Sequence, residues 1–145
     1  MQTVFSSDTE IERIGRGLLE RSLPKTEWTH AAHFAAVLWL LRCRDATEVA
    51  NEMPGWIRRY NEATGVANTS AGGYHETITL ASIRAARSIL AAHGEHAPLH
   101  HVVNSLMASD LGRSEWLLRY WSRERLFSSE ARKEWRDPDL MPLPF

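Results

Sequence analysis

Cysteine is almost missing from this chain: Cys43 is the single one among 145 residues. That excludes a disulfide framework within one chain and a cysteine-based zinc finger. An excess of charge is missing as well. Lys and Arg number 17 against 18 Asp and Glu, a formal net charge of -1, so no global field draws the chain to nucleic acid or to an anionic membrane. Long hydrophobic runs are missing too. The longest, Phe34 to Leu41, falls far short of the roughly 20 apolar residues that a membrane span needs. The opening residues, MQTVFSSDTE, hold no charged segment followed by an apolar one, so no secretion signal is read there and a cytoplasmic location is expected. Period-two alternation, internal repeats, low-complexity tracts and linkers are all wanting, which leaves β-structure and a second domain without support.

What the chain does have is seven histidines and six tryptophans, both high for its length. Tryptophans build large, rigid cores or line pockets. Its length is that of one domain with a real core, and its patterning is helical throughout.

Caps and breakers divide the chain. Ser7-Asp8-Thr9-Glu10 reads as a capping box, and the helix it opens carries Ile11, Ile14 and Leu18 on one face, ending near Ser22 before Pro24. Thr29 is the expected N-cap of a second helix over about 30–43. Its inward stripe is His30, His33, Phe34, Val37 and Leu41, the 3.6-residue period. Asp45-Ala46-Thr47-Glu48 reads as another capping box. The helix after it groups Ala46, Val49, Met53, Ile57 and Tyr60, is expected to kink or split at Pro54-Gly55, and stops at Gly65. Residues 66–73, VANTSAGG, form a loop; with no Lys-Ser or Lys-Thr and no preceding strand, it is not a phosphate-cradling loop of the nucleotide-binding kind. A fourth helix, about 74–92, is expected to bury His75, Ile78, Thr79, Ser82, Ala86 and Ile89, and a fifth, about 98–108, Leu99, Val102, Val103 and Leu106. Short helices at about 114–121 and 128–135 precede an extended tail from Asp137 to Phe145 whose apolar residues pack along the body. The expected fold is all-α: a single helical domain over 1–145, a bundle of five to seven helices with an extended C-terminal tail.

The candidate chemistry gathers around WTHAAHF, residues 28–34. His30 and His33 lie three apart, so their Cβ atoms stand ~5–6 Å apart on one helix face, a spacing that lets two imidazoles share a metal. A third ligand should come from another helix, and His75, at the start of the fourth helix, is the best candidate. Three imidazoles with open positions suit one divalent transition metal, Zn, Fe, Ni or Cu, and spacing does not choose among them. Glu76 follows His75 and is a candidate fourth ligand or the general base beside a metal-bound water; His75 and Glu76 are thus the catalytic candidates. Trp28, Phe34, Tyr60 and Tyr74 are expected to wall the pocket, with Thr79 one turn after His75 available to hydrogen-bond inside it. Glu27 is a looser carboxylate candidate, and Arg58 or Arg59 could bind a substrate anion.

Blander readings compete with each of these. A buried histidine is more often a hydrogen-bonded core residue than a ligand. The same residues could serve as a metal-free acid–base pair, or simply satisfy backbone groups at two helix ends. His93 and His96 flank Gly94 at a helix end, where a cation suits the dipole. Of the adjacent His100 and His101, at most one faces inward. Gly15-x-Gly17 is too isolated for nucleotide binding, Cys43 reads as a small buried residue, and Arg113, Arg119, Arg123 and Arg125 read as a solvated face.

The segments WTHAAH, IRRYNEATG, GGYHETIT and LFSSEARKEWRDPDLMPLP resemble a group of small bacterial proteins that share W-T-H-x-x-H, an Arg-Arg-Tyr-Asn helix end and G-Y-H-E-T. The likeness runs from about Trp28 to Pro144. It implies that His30, His33, His75 and Glu76 belong to one shared pattern, and it brings no activity with it. Two functions follow as expectations. One is a small metal-dependent enzyme, a hydrolase or an oxygenase, acting on a small organic molecule. The other is a non-enzymatic helical binding module with a structural or regulatory metal. Exposed aromatics near Trp116 to Trp121 would suit a partner helix, so a homodimer is an open option.

Overall fold

The second helix organises the chain. In the computed structural model, which describes residues 4–145, seven α-helices and three 3-10 turns account for the regular structure, with no strand among the described residues. Positions 1–3 of the opening stretch searched for a secretion signal lie outside the described residues. The helices are α1 (Asp8–Glu20), α2 (His30–Cys43), α3 (Ala46–Ala63), α4 (Glu76–His93), α5 (Leu99–Ala108), α6 (Arg123–Leu126) and α7 (Ser129–Lys133). The all-α bundle expected from the patterning is therefore the fold. No helix among the described residues is long and apolar enough to cross a membrane.

Instead of presenting a single apolar stripe, α2 is apolar nearly all round. Ala31, Ala32, Phe34, Ala35, Ala36, Val37, Leu38 and Leu40 are all buried, and α1, α3, α4 and α5 pack around it. A helix apolar on every side belongs in the middle of a protein. Its alanines let neighbours come close, and α1 uses that. An added Cβ at Gly15 would stand 2.2 Å from Cε3 of Trp39, and one at Gly17 would stand 2.8 Å from the Cβ of Leu23. These two glycines are packing surfaces, which accounts for the Gly-x-Gly pair without a nucleotide.

Local signals set the helix starts. Ser7, Thr29 and Asp45 accept N-cap hydrogen bonds from the amides of Glu10, Ala32 and Thr47. The box partners act elsewhere: Glu10 accepts from the amide of Ser6, and Glu48 pairs with Arg44. α1 stops at Glu20, two residues short of expectation, because Arg21 takes a left-handed conformation (φ 60°) and Gly17 accepts from the amides of Ser22 and Leu23. α3 runs unbroken through Pro54, so the helix does not split there. Val49, Met53 and Tyr60 are buried on either side of the proline, so packing docks both halves on one core and outweighs the lost backbone bond.

α4 is buried on two sides, through Thr77, Thr79, Ala81, Ile83, Ala85 and Ala86. The Thr77 hydroxyl donates to the carbonyl of Ala131 at 2.7 Å, because α7 covers that flank. The expected stripe of Ile78, Ser82 and Ile89 is only half-buried as a result. Near the C-terminus, a 3-10 turn at Trp116–Arg119 replaces the expected helix, α6 appears where none was read, and the last helix shrinks to α7. Trp116 and Trp121 are buried, so the aromatics expected to meet a second copy turn inward. Trp121 donates to the carbonyl of Arg136 at 2.8 Å, and Asp139 accepts from the amide and hydroxyl of Ser122, which latches the tail. Leu143 and Phe145 pack on the core as expected, whereas Leu140 and Met141 are exposed. Cys43, expected to be buried, is exposed at the end of α2.

The close approach at Gly15 makes a direct test. Gly15→Ala gains helix propensity but drives a methyl into the Trp39 ring, and overpacking costs typically about 1–3 kcal/mol. A fall of several degrees in the thermal midpoint is expected by circular dichroism. A rise would show that Trp39 swings aside freely.

Candidate functional site

Thr29 places the two histidines of α2. Its side chain caps Ala32, and its carbonyl accepts twice from His33: from the amide at 3.0 Å and from Nδ1 at 2.6 Å. A carbonyl only accepts, so Nδ1 of His33 carries the proton and Nε2 carries the lone pair. His30, one turn earlier, donates from Nε2 to the carbonyl of Leu111 at 2.8 Å, which in the neutral form leaves the lone pair on Nδ1. Neither remaining nitrogen has a partner among the described residues. Trp28 stacks on His33 with ring centroids 3.9 Å apart, and Phe34 meets His30 edge-on at 5.3 Å.

Both imidazoles border a cavity of about 310 Å³. Its walls come from Trp28, Phe34 and Val37, from Met53 and Ile57 of α3, from Ile78, Thr79 and Ser82 of α4, and from Ser114, Trp116 and Leu117. It is an apolar cleft with a few hydroxyls and the histidine pair. His33 was expected on the buried stripe; the residue is instead exposed as a whole, while its imidazole is enclosed by the walls of this cleft. The protein around it excludes enough water to hold its pKa down to about 4, against the pull of the Thr29 carbonyl and with the help of His30 nearby. His33 is therefore neutral at physiological pH.

His75 does not join this pair. It is buried and serves as the N-cap of α4, which starts at Glu76: Nδ1 accepts from the amide of Ile78 at 3.2 Å, and Nε2 donates to the carbonyl of Leu126 at 2.7 Å. Both ring nitrogens are occupied. Burial pushes its pKa below the ordinary value, and the Leu126 carbonyl opposes this. Glu76 accepts from the hydroxyl of Tyr74 at 2.5 Å. Burial, then that carboxylate, pushes the Tyr74 hydroxyl well above its usual range. Among the described residues, no three His, Cys, Asp or Glu side chains come together as a metal-binding group.

Of the expected wall residues, Trp28, Phe34 and Thr79 line the cleft. Tyr60 is fully buried behind Trp28, ring centroids 5.2 Å apart, and its hydroxyl donates to the carbonyl of Leu23 at 2.8 Å. Tyr74 borders a different cavity. Glu27 is drawn off by Arg13 at 2.6 Å. Sequence reasoning missed Ser114, Trp116 and Leu117, and missed Leu111 as the anchor of His30. The last acts through a carbonyl, which leaves no side-chain signal. The remaining histidines stay peripheral: His93 donates to the carbonyl of Ile89 as the last residue of α4, His96 pairs with Glu95, and His100 pairs with Asp8.

Compared with protein-family models, curated proteins and solved structures, the chain gives no match.

Two tests follow. His33 and His75 both hold their pKa below the ordinary 6.5, so between about 4 and 6.5 the unfolded chain binds more protons than the folded one. Stability should rise with pH through that window and level off above it. Urea unfolding at a series of pH values measures this, and His33→Phe should flatten the slope. An unchanged slope would contradict the low pKa. His75→Ala should cost about 1–3 kcal/mol, by uncapping α4 and stranding the Leu126 carbonyl, and His75→Asn should recover part of the loss.

Proposed function

We propose that this chain binds a small, largely uncharged organic molecule in the cleft at the start of α2, with His30 and His33 meeting its polar end. One juxtaposition supports the reading. Two imidazoles, each with one nitrogen fixed on a main-chain carbonyl and the other uncommitted, border the same apolar cavity. Such cavities take ligands with an apolar body and a few convergent polar contacts, and about 310 Å³ is at the small end of their range. The uncommitted lone pairs accept hydrogen bonds, so the ligand carries a donor: a hydroxyl, an amine or an amide N–H. A base with a pKa of about 4 abstracts protons weakly at neutral pH, so this reading gives His33 an accepting role rather than a general-base role.

The same anchoring favours a second reading. A metal-ligating histidine commonly donates its other ring N–H to a carbonyl or carboxylate, which fixes its tautomer. His30 and His33 both do so. One Zn, Fe, Ni or Cu ion held by Nδ1 of His30 and Nε2 of His33, with its other positions open to water and substrate, would make the chain a metal-dependent hydrolase or oxygenase. His75 would take no part, since both its ring nitrogens are engaged, and Glu76 does not border the cleft.

2-Naphthol and naphthalene discriminate by a single donor. The wild type should prefer 2-naphthol about five- to tenfold, the worth of one hydrogen bond, and replacing both His30 and His33 by Phe should erase the preference. Equal binding of both by the wild type would sink the first reading. For the second, elemental analysis after incubation with each of the four ions should find about one metal per chain, lost in His33→Phe and kept in His75→Ala. No uptake of any ion would sink it.

A further inference from the structure

A second cavity, of about 250 Å³, lies where the 66–73 loop, the end of α3 and the end of α7 meet. Arg58, Arg132 and Lys133 border it, together with Thr69, Ser70 and the ring of Tyr74. No carboxylate lines it, and none of the three cations is in an ion pair with an acid among the described residues. Three unpaired cations in one cavity stand out in a chain whose overall charge is -1.

The cavity is built rather than incidental. Asn68 pins the loop from inside. Its Oδ1 accepts from Nδ2 of Asn61 and from the amide of Tyr74, both at 3.0 Å, and its Nδ2 donates to the carbonyl of Arg58 at 3.1 Å. Gly73 closes the loop at φ 80°, where an added Cβ would stand 2.4 Å from the carbonyl oxygen of Ala67. Arg58 lies over the Tyr74 ring, 4.6 Å from its centroid, which fixes the plane of its guanidinium. Arg132 spends Nη1 on the carbonyls of Gly73 and Tyr74, at 3.1 and 3.3 Å, and keeps Nε and Nη2. Thr69 accepts from the amides of Ala71 and Gly72, so its own hydroxyl proton is left to donate. Glu76 does not line the cavity; one of its carboxylate oxygens accepts from the Tyr74 hydroxyl. What remains along the cavity is a set of donors with no acceptor of matching charge.

We propose that this cavity binds the phosphate group of a small phosphorylated molecule. Two guanidinium planes match the oxygens of a phosphate in the paired fashion that a lone lysine cannot, and Lys133 adds a third charge suited to a dianion. The Thr69 and Ser70 hydroxyls meet further oxygens. The phosphate is held by side chains on three elements, so the absence of a nucleotide-type loop is no obstacle. The cavity is larger than an inorganic phosphate, which leaves room for the group that carries it. The site stands apart from the histidine cleft and does not depend on it.

The test is a titration of full-length, 15N-labelled chain with inorganic phosphate at low ionic strength, read from backbone amide shifts. Saturable shifts at Ser70 to Gly73 are expected. Arg58→Gln and Lys133→Gln should each weaken binding about tenfold or more, and His33→Phe should leave it unchanged. Lys133 is exposed and has no partner among the described residues, so its replacement leaves the fold intact, and the rest of the spectrum verifies that. Shifts that never saturate, that persist in both variants, or that sodium chloride reproduces at equal ionic strength would overturn the site. Malonate binding as tightly as phosphate would overturn the phosphate assignment.

Discussion

The absence of a solvated face along the middle of α2 is the constraint on which the rest of the structure depends. A helix buried on every side has to be surrounded, and α1, α3, α4 and α5 do so. It also has to surface somewhere, and it does so in its first turn. There Thr29 satisfies amides that would otherwise be left bare, and the two histidines emerge where packing stops and the cleft begins. The cleft is thus a by-product of how the central helix ends. The surrounding helices and the 3-10 turn at Trp116 leave a gap around a helix start that carries imidazole instead of leucine.

The three imidazoles at the starts of α2 and α4 each donate an N–H to a main-chain carbonyl: His30 to Leu111, His33 to Thr29 and His75 to Leu126. They differ in the second nitrogen. That of His75 closes a cap on its own helix, which makes it a structural part with nothing left over. Those of His30 and His33 are left to whatever enters the cleft. The same chemical group serves folding in one place and, on the reading proposed above, recognition in the other, and the difference lies in one backbone amide.

The parts legible in the sequence were those written in local chemistry. Ser7, Thr29 and Asp45 cap because a short oxygen side chain before an apolar period has few better uses. The pairing of His30 with His33 beside Trp28 follows from three-residue spacing alone. The parts that were not legible depend on partners distant along the chain. His75 has the spacing of a ligand, and what commits it elsewhere is an amide and a carbonyl, groups that every residue carries. Tyr60 has the look of a pocket wall, but it lies one layer too deep. Pro54 signals a break that the packing of Val49 and Tyr60 overrides. The inward turn of Trp116 and Trp121 depends on a tail latched by Asp139, which nothing in the local pattern announces.

The two sides of the cleft are far apart in the chain: His30 and the Leu111 carbonyl that orients it are separated by 81 positions. An unfolded chain has no cleft at all. Whatever occupies it therefore binds the folded form alone, and mass action adds its binding energy to the stability of the whole molecule, about 2.7 kcal/mol at a concentration a hundredfold above its Kd. The fold becomes a balance on which any occupant can be weighed: heating the protein beside a collection of small molecules would rank them by affinity, with no assay for a reaction.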